Sequence, residues 1–268
     1  MTEAVSTRPV IRVRDTVDRV DDVLVVEEPV EIRLEGTPLA VIMRTPGHDA
    51  ELAVGFMITE GIVASPTEVA LVESLGEGRW DVHLAEGVKV DPKQFQRNFY
   101  ATSSCGVCGK ASIDAIRVAG SAPPAGPEVT REVLVGLPGR LLEEQPAFRT
   151  TGGIHAAAAF EPNGTLVAVR EDIGRHNAVD KLVGHLASTR WPIRDLGLLV
   201  SGRVSFEIVQ KAAVAGLSLV CGVSAASSLA VDLAEELEMT VIGFLREGGF
   251  TVYTGAHRLT APRTAFLR

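Results

Sequence analysis

From about residue 154 to residue 253 the chain alternates between short β-branched runs and segments of helical period. That rhythm limits the fold more than any other feature of the 268 residues. Strand candidates lie at 154–160, 166–169, 196–200, 217–223, 240–245 and 250–253, with helical patterns between them at about 178–186, 205–215 and 227–237. Strand, crossover helix and strand in succession set strands parallel, with helices over the faces of the sheet. The expected fold is an α/β layer structure with a partly parallel sheet.

The first hundred residues read differently. Runs at 23–26 and 30–34, and a third at 38–43 after the turn Glu35-Gly-Thr37, suggest a small sheet. Residues 49–59 change to helical period, with Leu52, Ala53, Phe56 and Met57 on one face and Gly61 as the stop. Segments 80–84 and 88–90 read as a short hairpin around Glu86-Gly87. Ser121-Ala-Pro-Pro-Ala-Gly-Pro127 can neither continue a helix nor join a central strand. It divides a smaller, mostly β N-terminal region, 1–120, from an α/β domain, 128–268. Thr130 is placed to cap a helix with the stripe Val133, Leu134, Leu137 and Leu141, although Pro138 and Gly139 weaken its second half.

Charge and cysteine usage narrow the function. A formal net charge of -8 argues against nucleic acid and acidic membrane surfaces as partners, because both would repel the chain on average. No apolar run approaches the length of a membrane span, and the polar N-terminus is not a signal peptide. The expected location is the cytoplasm, where three cysteines do not make a disulfide framework.

Two of those cysteines share the loop Ser103-Ser-Cys-Gly-Val-Cys-Gly-Lys110. Chemistry at sulfur needs a thiolate, and a thiolate needs donors or positive charge beside it. Small residues leave backbone N–H groups free to face Cys105, and Lys110 adds a charge just past Cys108. Half of a zinc site would need a second pair of ligands, which Cys221, His155, His176 and His185 do not form. A dithiol redox switch is the other alternative, and Cys221 reads as a buried small hydrophobe.

A second set of residues gathers where strands meet helices. Val169-Arg-Glu-Asp-Ile-Gly-Arg-His-Asn177 offers Asp172 as an acceptor for a ring N–H or ribose hydroxyl, with Arg175 and His176 as donors to an anion. Leu199-Val-Ser-Gly-Arg-Val-Ser205 adds Ser201 and Arg203, and Gly222-Val-Ser-Ala-Ala-Ser-Ser228 repeats the small-residue pattern. Each alone reads equally well as a capped helix start. Together they suggest a pocket for a phosphorylated, nucleotide-bearing ligand. In Gly243-Phe-Leu-Arg-Glu-Gly-Gly249, Phe244 can stack on a base and Arg246 can pair with phosphate, or Phe244 is plain core. His48 is a turn cap or a supporting partner. Thr151-Gly-Gly-Ile-His155 resembles the start of a zinc nucleobase deaminase site, but Ala157 stands where the general acid/base glutamate belongs and no cysteine pair opens the later helix.

In that order, Arg44-Thr-Pro-Gly-His-Asp49, Gly55-Phe-Met-Ile-Thr-Glu-Gly61, the cysteine loop, Thr151-Gly-Gly-Ile-His155, Glu171–Asn177, Ser201-Gly-Arg-Val-Ser205 and Gly243-Phe-Leu-Arg246 resemble the FdhD family of formate dehydrogenase accessory sulfurtransferases. The resemblance implies a fold similar to cytidine deaminase, with its three-layer core, and a homodimer. It implies that a cysteine desulfurase loads sulfur as a persulfide on Cys105, with Cys108 auxiliary. The sulfur passes to a molybdenum cofactor carrying two molybdopterin guanine dinucleotides, bound as substrate, before that cofactor enters formate dehydrogenase. Phe244, Leu245, Arg246, Glu247, Gly248 and Gly249 match the family's cofactor-binding segment. No resident metal is expected. The alternatives are a non-enzymatic cofactor chaperone and a dithiol oxidoreductase.

Overall fold

The computed structural model describes residues 4–92, 95 and 126–260. The Cys105–Cys108 loop and most of the proline-rich segment lie outside them. A six-stranded sheet organises the C-terminal half, in the order β13-β12-β11-β10-β8-β9. Its strands are β8 (His155–Phe160), β9 (Leu166–Asp172), β10 (Gly197–Val200), β11 (Leu219–Gly222), β12 (Thr240–Arg246) and β13 (Gly249–Thr254). β10, β11 and β12 run parallel, while β8 is antiparallel to both β9 and β10, so β9 shares the direction of the parallel set.

Both faces of this sheet are covered, which explains the unbroken apolar runs in its strands. On one face Ala156, Ala158, Phe160, Leu199, Cys221 and Ile242 pack against α2 (Arg131–Glu143). On the other, Ala157, Ala159, Leu198, Val200 and Val220 meet α4 (Arg175–Ala187) and α5 (Phe206–Ala215). Helices α3 (Pro146–Thr151) and α6 (Ser228–Glu236) complete this half. The short strand β7 (Val129–Thr130) leads into α2, and the Thr130 side chain accepts the N–H of Val133 at 3.3 Å, as the capping pattern requires. Helix α2 then continues through Pro138. A mid-helix proline costs about 3 kcal/mol, but Leu134, Leu137 and Leu141 are fully buried, at about 1.5–3 kcal/mol each.

The N-terminal half holds a sheet of order β4-β3-β6-β5, built from β3 (Glu28–Leu34), β4 (Thr37–Arg44), β5 (Val69–Gly76) and β6 (Arg79–Leu84). The expected hairpin of 80–84 with 88–90 is not formed. β6 is already paired on both edges, parallel to β3 and antiparallel to β5, so no edge is left for residues 88–90. Helix α1 (Asp49–Thr59) lies between this sheet and α4, and one core joins Ile32, Leu34, Phe56, Met57 and Val82 to Leu182 and Val183. α1 and α4 touch backbone to backbone. A methyl group at Gly55 would overlap the carbonyl oxygen of Asp180, and one at Gly184 would overlap that of Glu51. Residues 5–25 form an antiparallel hairpin, β1 (Val5–Val13) with β2 (Val17–Val25), where the sequence shows only its final apolar run.

Candidate functional site

The shared direction of β9, β10, β11 and β12 brings their C-terminal ends, and the start of β8 at His155, to one edge of the sheet. Backbone hydrogen bonds lace the following loops together there. Val204 N–H donates to Ala225 O at 3.0 Å, Ser227 N–H to Val204 O at 3.0 Å, and Phe244 N–H to Ser224 O at 2.9 Å. This lacing explains the small residues. A Cβ at Gly243 would lie 3.1 Å from Ser224 O, and one at Gly202 would lie 3.3 Å from Nδ1 of His155 and 3.8 Å from Cβ of Arg175.

Arg175 opens α4, and Arg203 is exposed in the loop after β10. Neither has a carboxylate partner among the described residues, and Arg175 Nε is buried without an acceptor. Two unpaired guanidinium groups beside a helix N-terminus form a surface that attracts an anion. The same charges act on His155. Burial pushes its pKa down, and Arg175 and Arg203 add to the shift against the opposing pull of Asp172.

Ser201 is a brace at this edge, its hydroxyl accepting the Ala156 N–H at 2.9 Å. Asp172 lies deeper than its sequence context suggests. It is fully buried, accepts from the N–H groups of Thr45 and Gly174 and from Asn177 Nδ2, and pairs with Lys181 at 2.7 Å. Both oxygens are therefore engaged within the protein, where they lock the turn that presents Arg175 to the end of β4. His176 is also turned inward, with Nε2 at 3.4 Å from Ser205 Oγ and 3.8 Å from Glu207. Burial pushes it down to about 4, helped by Lys211 and Arg175, so the ring is neutral near pH 7.

The β12–β13 turn closes the edge. Leu245 is fully buried in the core, whereas Phe244 is 46% exposed and Arg246, Glu247 and Gly248 are exposed, with Gly249 partly so. Phe244 has φ 52, a left-handed conformation that costs a non-glycine residue roughly 1–2 kcal/mol. It sits where the pairing of β12 with β13 shifts register, which aims its ring outward.

Sequence reasoning missed the ionic cluster behind this edge. Lys211 Nζ donates to Thr59 Oγ1 at 2.9 Å, to Glu60 Oε1 at 2.8 Å and to both Asp180 oxygens at 2.9 and 3.0 Å. Burial raises Asp180 to about 6 and Glu60 adds to the shift, while Lys211 and Thr59 oppose it. Two carboxylates share one ammonium. The readable signal was a charged pair, Asp180-Lys181, on the apolar face of a helix. His48 takes φ 58 and pairs with Glu51, which also binds Arg170 at 2.5 and 2.8 Å. Burial works against the Glu51 charge, yet the bonds from Arg170 and His48 hold its carboxyl well below the usual range.

A pH response follows from His176. Below pH 6.5 the unfolded chain binds a proton at this residue, which the folded chain refuses until about pH 4, so its contribution to stability is lost as pH falls through that window. Asp180 acts in the opposite sense, holding its proton in the folded state from about pH 6 downward. The His176→Asn protein is therefore expected to lose less stability than the parent between pH 7 and pH 5. Urea midpoints at the two pH values measure it.

This geometry defines an α/β protein whose strand-end edge gathers Arg175, Arg203 and the exposed ring of Phe244. The profile of the FdhD/NarQ family matches residues 25–260, and the chain belongs to that family. It is 50% identical to the sulfur carrier protein FdhD of Streptomyces coelicolor, over 94% of each chain. The protein of the same description from Mycobacterium tuberculosis is 48% identical, over 89% of this chain and 92% of its own. That from Sulfurisphaera tokodaii is 42% identical, over 93% and 97%. The fold is similar to the crystal structure of a proposed formate dehydrogenase accessory protein from Desulfotalea psychrophila. The TM-score is 0.78 at 20% sequence identity, covering 96% of this chain and all of that one. Among the described residues no helix is long and apolar enough to cross a membrane, and no cluster of His, Cys, Asp and Glu could hold a metal ion.

Proposed function

We propose that this protein is a cytoplasmic sulfur carrier that takes sulfur as a persulfide on Cys105 and delivers it to a bis-molybdopterin guanine dinucleotide cofactor serving formate dehydrogenase. The observation that carries the reading is the strand-end edge, where unpaired Arg175 and Arg203 share one laced set of loops with the outward ring of Phe244. The guanidinium groups suit the phosphates of such a substrate, and Phe244 with Arg246 suits a base and its phosphate. The loading step is attack of the Cys105 thiolate on the terminal sulfur of a desulfurase persulfide. A sulfur–sulfur bond forms at Cys105, and the donor cysteine leaves as thiolate. Cys108 is an auxiliary thiol, and two copies of the chain form the carrier. The core fold is of the cytidine-deaminase type, with its catalytic elements absent.

Incubation with a desulfurase and cysteine should add one sulfur, about 32 mass units, to the parent and to the Cys108→Ala protein. Cys105→Ala should gain none and should leave formate dehydrogenase inactive. Full activation by Cys105→Ala would falsify the reading.

Phe244→Gly separates binding from folding. Relief of the left-handed strain offsets the loss of a half-exposed ring, so its unfolding free energy should stay within about 1 kcal/mol of the parent. Affinity for a guanine nucleotide should fall roughly tenfold, as expected for a lost aromatic stack, and calorimetric titration reads this directly.

A further inference from the structure

A cleft of about 530 Å³ opens between α2, α3 and the strand-end edge, on the side of the sheet away from α4. This volume accommodates a small organic ligand. Its walls are largely apolar, formed by Leu141 and Leu142 of α2, Phe148 of α3, Ile154 and Val223. His155 and Ser201 also line it, and His155 lies with Arg175 around Gly202. The apolar cleft and the anion-attracting edge therefore share His155.

Gln145 lines the same cleft, is 4% exposed, and its Nε2 has no hydrogen-bond partner. A buried amide without a partner costs about 1–3 kcal/mol and is rare in a settled core. A primary amide presents a donor and an acceptor side by side. The matching partner is a ring with a lactam edge, which presents C=O beside N–H.

We infer that the α2–α3 cleft is a second ring-binding place, in which Gln145 reads the lactam edge of a flat heterocycle whose phosphate lies against Arg175 and Arg203. Guanine and pterin rings share that edge, and adenine lacks it. The inference rests on the reading that the strand-end edge binds a phosphorylated cofactor, and it adds Gln145 as the residue that selects the ring.

The test uses calorimetric titration of the full chain with GDP, a pterin diphosphate, ADP and pyrophosphate. Two variants accompany the parent: Gln145→Leu, which replaces the unpartnered amide by an apolar group of similar size, and Leu142→Trp, which fills the cleft from a position 46% exposed. At least one of GDP and the pterin diphosphate should bind tenfold or more weakly to both variants, while pyrophosphate changes less than twofold. ADP should bind the parent at least tenfold more weakly than the ligand so identified. The melting temperature of Gln145→Leu should equal or exceed the parent's, since a buried Nε2 without a hydrogen bond is removed. Unchanged affinity for both ring ligands in the two variants would overturn the inference and leave sulfur loading on Cys105 untouched. Equal binding of ADP would overturn it as well. Failure of Cys105 to take up sulfur would instead overturn the carrier reading, with the titrations unaffected.

Discussion

Gly184→Val is expected to leave no stably folded protein. The residue faces α1 so closely that a single added carbon would overlap the carbonyl oxygen of Glu51 and lie 2.9 Å from the backbone nitrogen of Gly55. These are main-chain atoms of a packed helix, and no side-chain rotation relieves the contact. The two helices must separate, which opens the core where Phe56, Met57, Leu182 and Val183 meet. Overpacking costs about 1–3 kcal/mol where side chains can adjust. Here they cannot, so a loss above roughly 4 kcal/mol is expected, against a total stability of about 5–15 kcal/mol. Gly184→Ala should show a graded version of the same loss in urea unfolding followed by circular dichroism. An alanine variant as stable as the parent would mean that the helices do not cross in contact.

Lys211→Met carries the second large effect. Burial alone would favour loss of the Lys211 proton, but Asp180 and Glu60 hold the ammonium charged, above its ordinary range. Without it, Asp180 is left buried beside Glu60 with only Thr59 as a donor. Removing one partner of a buried pair typically costs about 3–5 kcal/mol. Asp180 would then keep its proton to higher pH, so the deficit should be larger at pH 8 than at pH 5. Lys211→Met combined with Asp180→Asn should recover part of the loss, because the stranded charge is gone. Chemical denaturation of the parent, the single variants and the double variant supplies the cycle.

The C-terminal sheet was legible because its strands are buried on both faces and its helices keep a clean period. All six expected strands and all three expected helices of 154–253 are present, with ends shifted by a few residues. The N-terminal half was less so. β1 and β2 carry Arg8, Arg12, Asp18, Asp21 and Asp22, and a hairpin wet on both faces has no apolar alternation to read. β5 holds only Glu73 and Ser74 among apolar residues, but it is mostly exposed and its sequence does not alternate. In the site, residue type was readable and direction was not. Arg203 and Phe244 are exposed and Arg175 is half-buried, whereas Asp172 and His176 are drawn inside by partners more than a hundred residues away or on another helix, Thr45 for Asp172 and Glu207 for His176. Leu245 belongs to the core by strand alternation. Gln145 drew no notice because a lone glutamine carries no motif.

The meeting of α1 with α4 also sets a clock. Gly55 leaves the ribosome well before Gly184, and at about 5–20 residues per second the interval is on the order of ten seconds. Through that time Leu52, Phe56 and Met57 have no helix to cover them, and the closing contact spans a long loop. A chaperone that holds nascent apolar segments would find its opportunity on α1, and slowing synthesis between the two glycines should lower the yield of soluble protein.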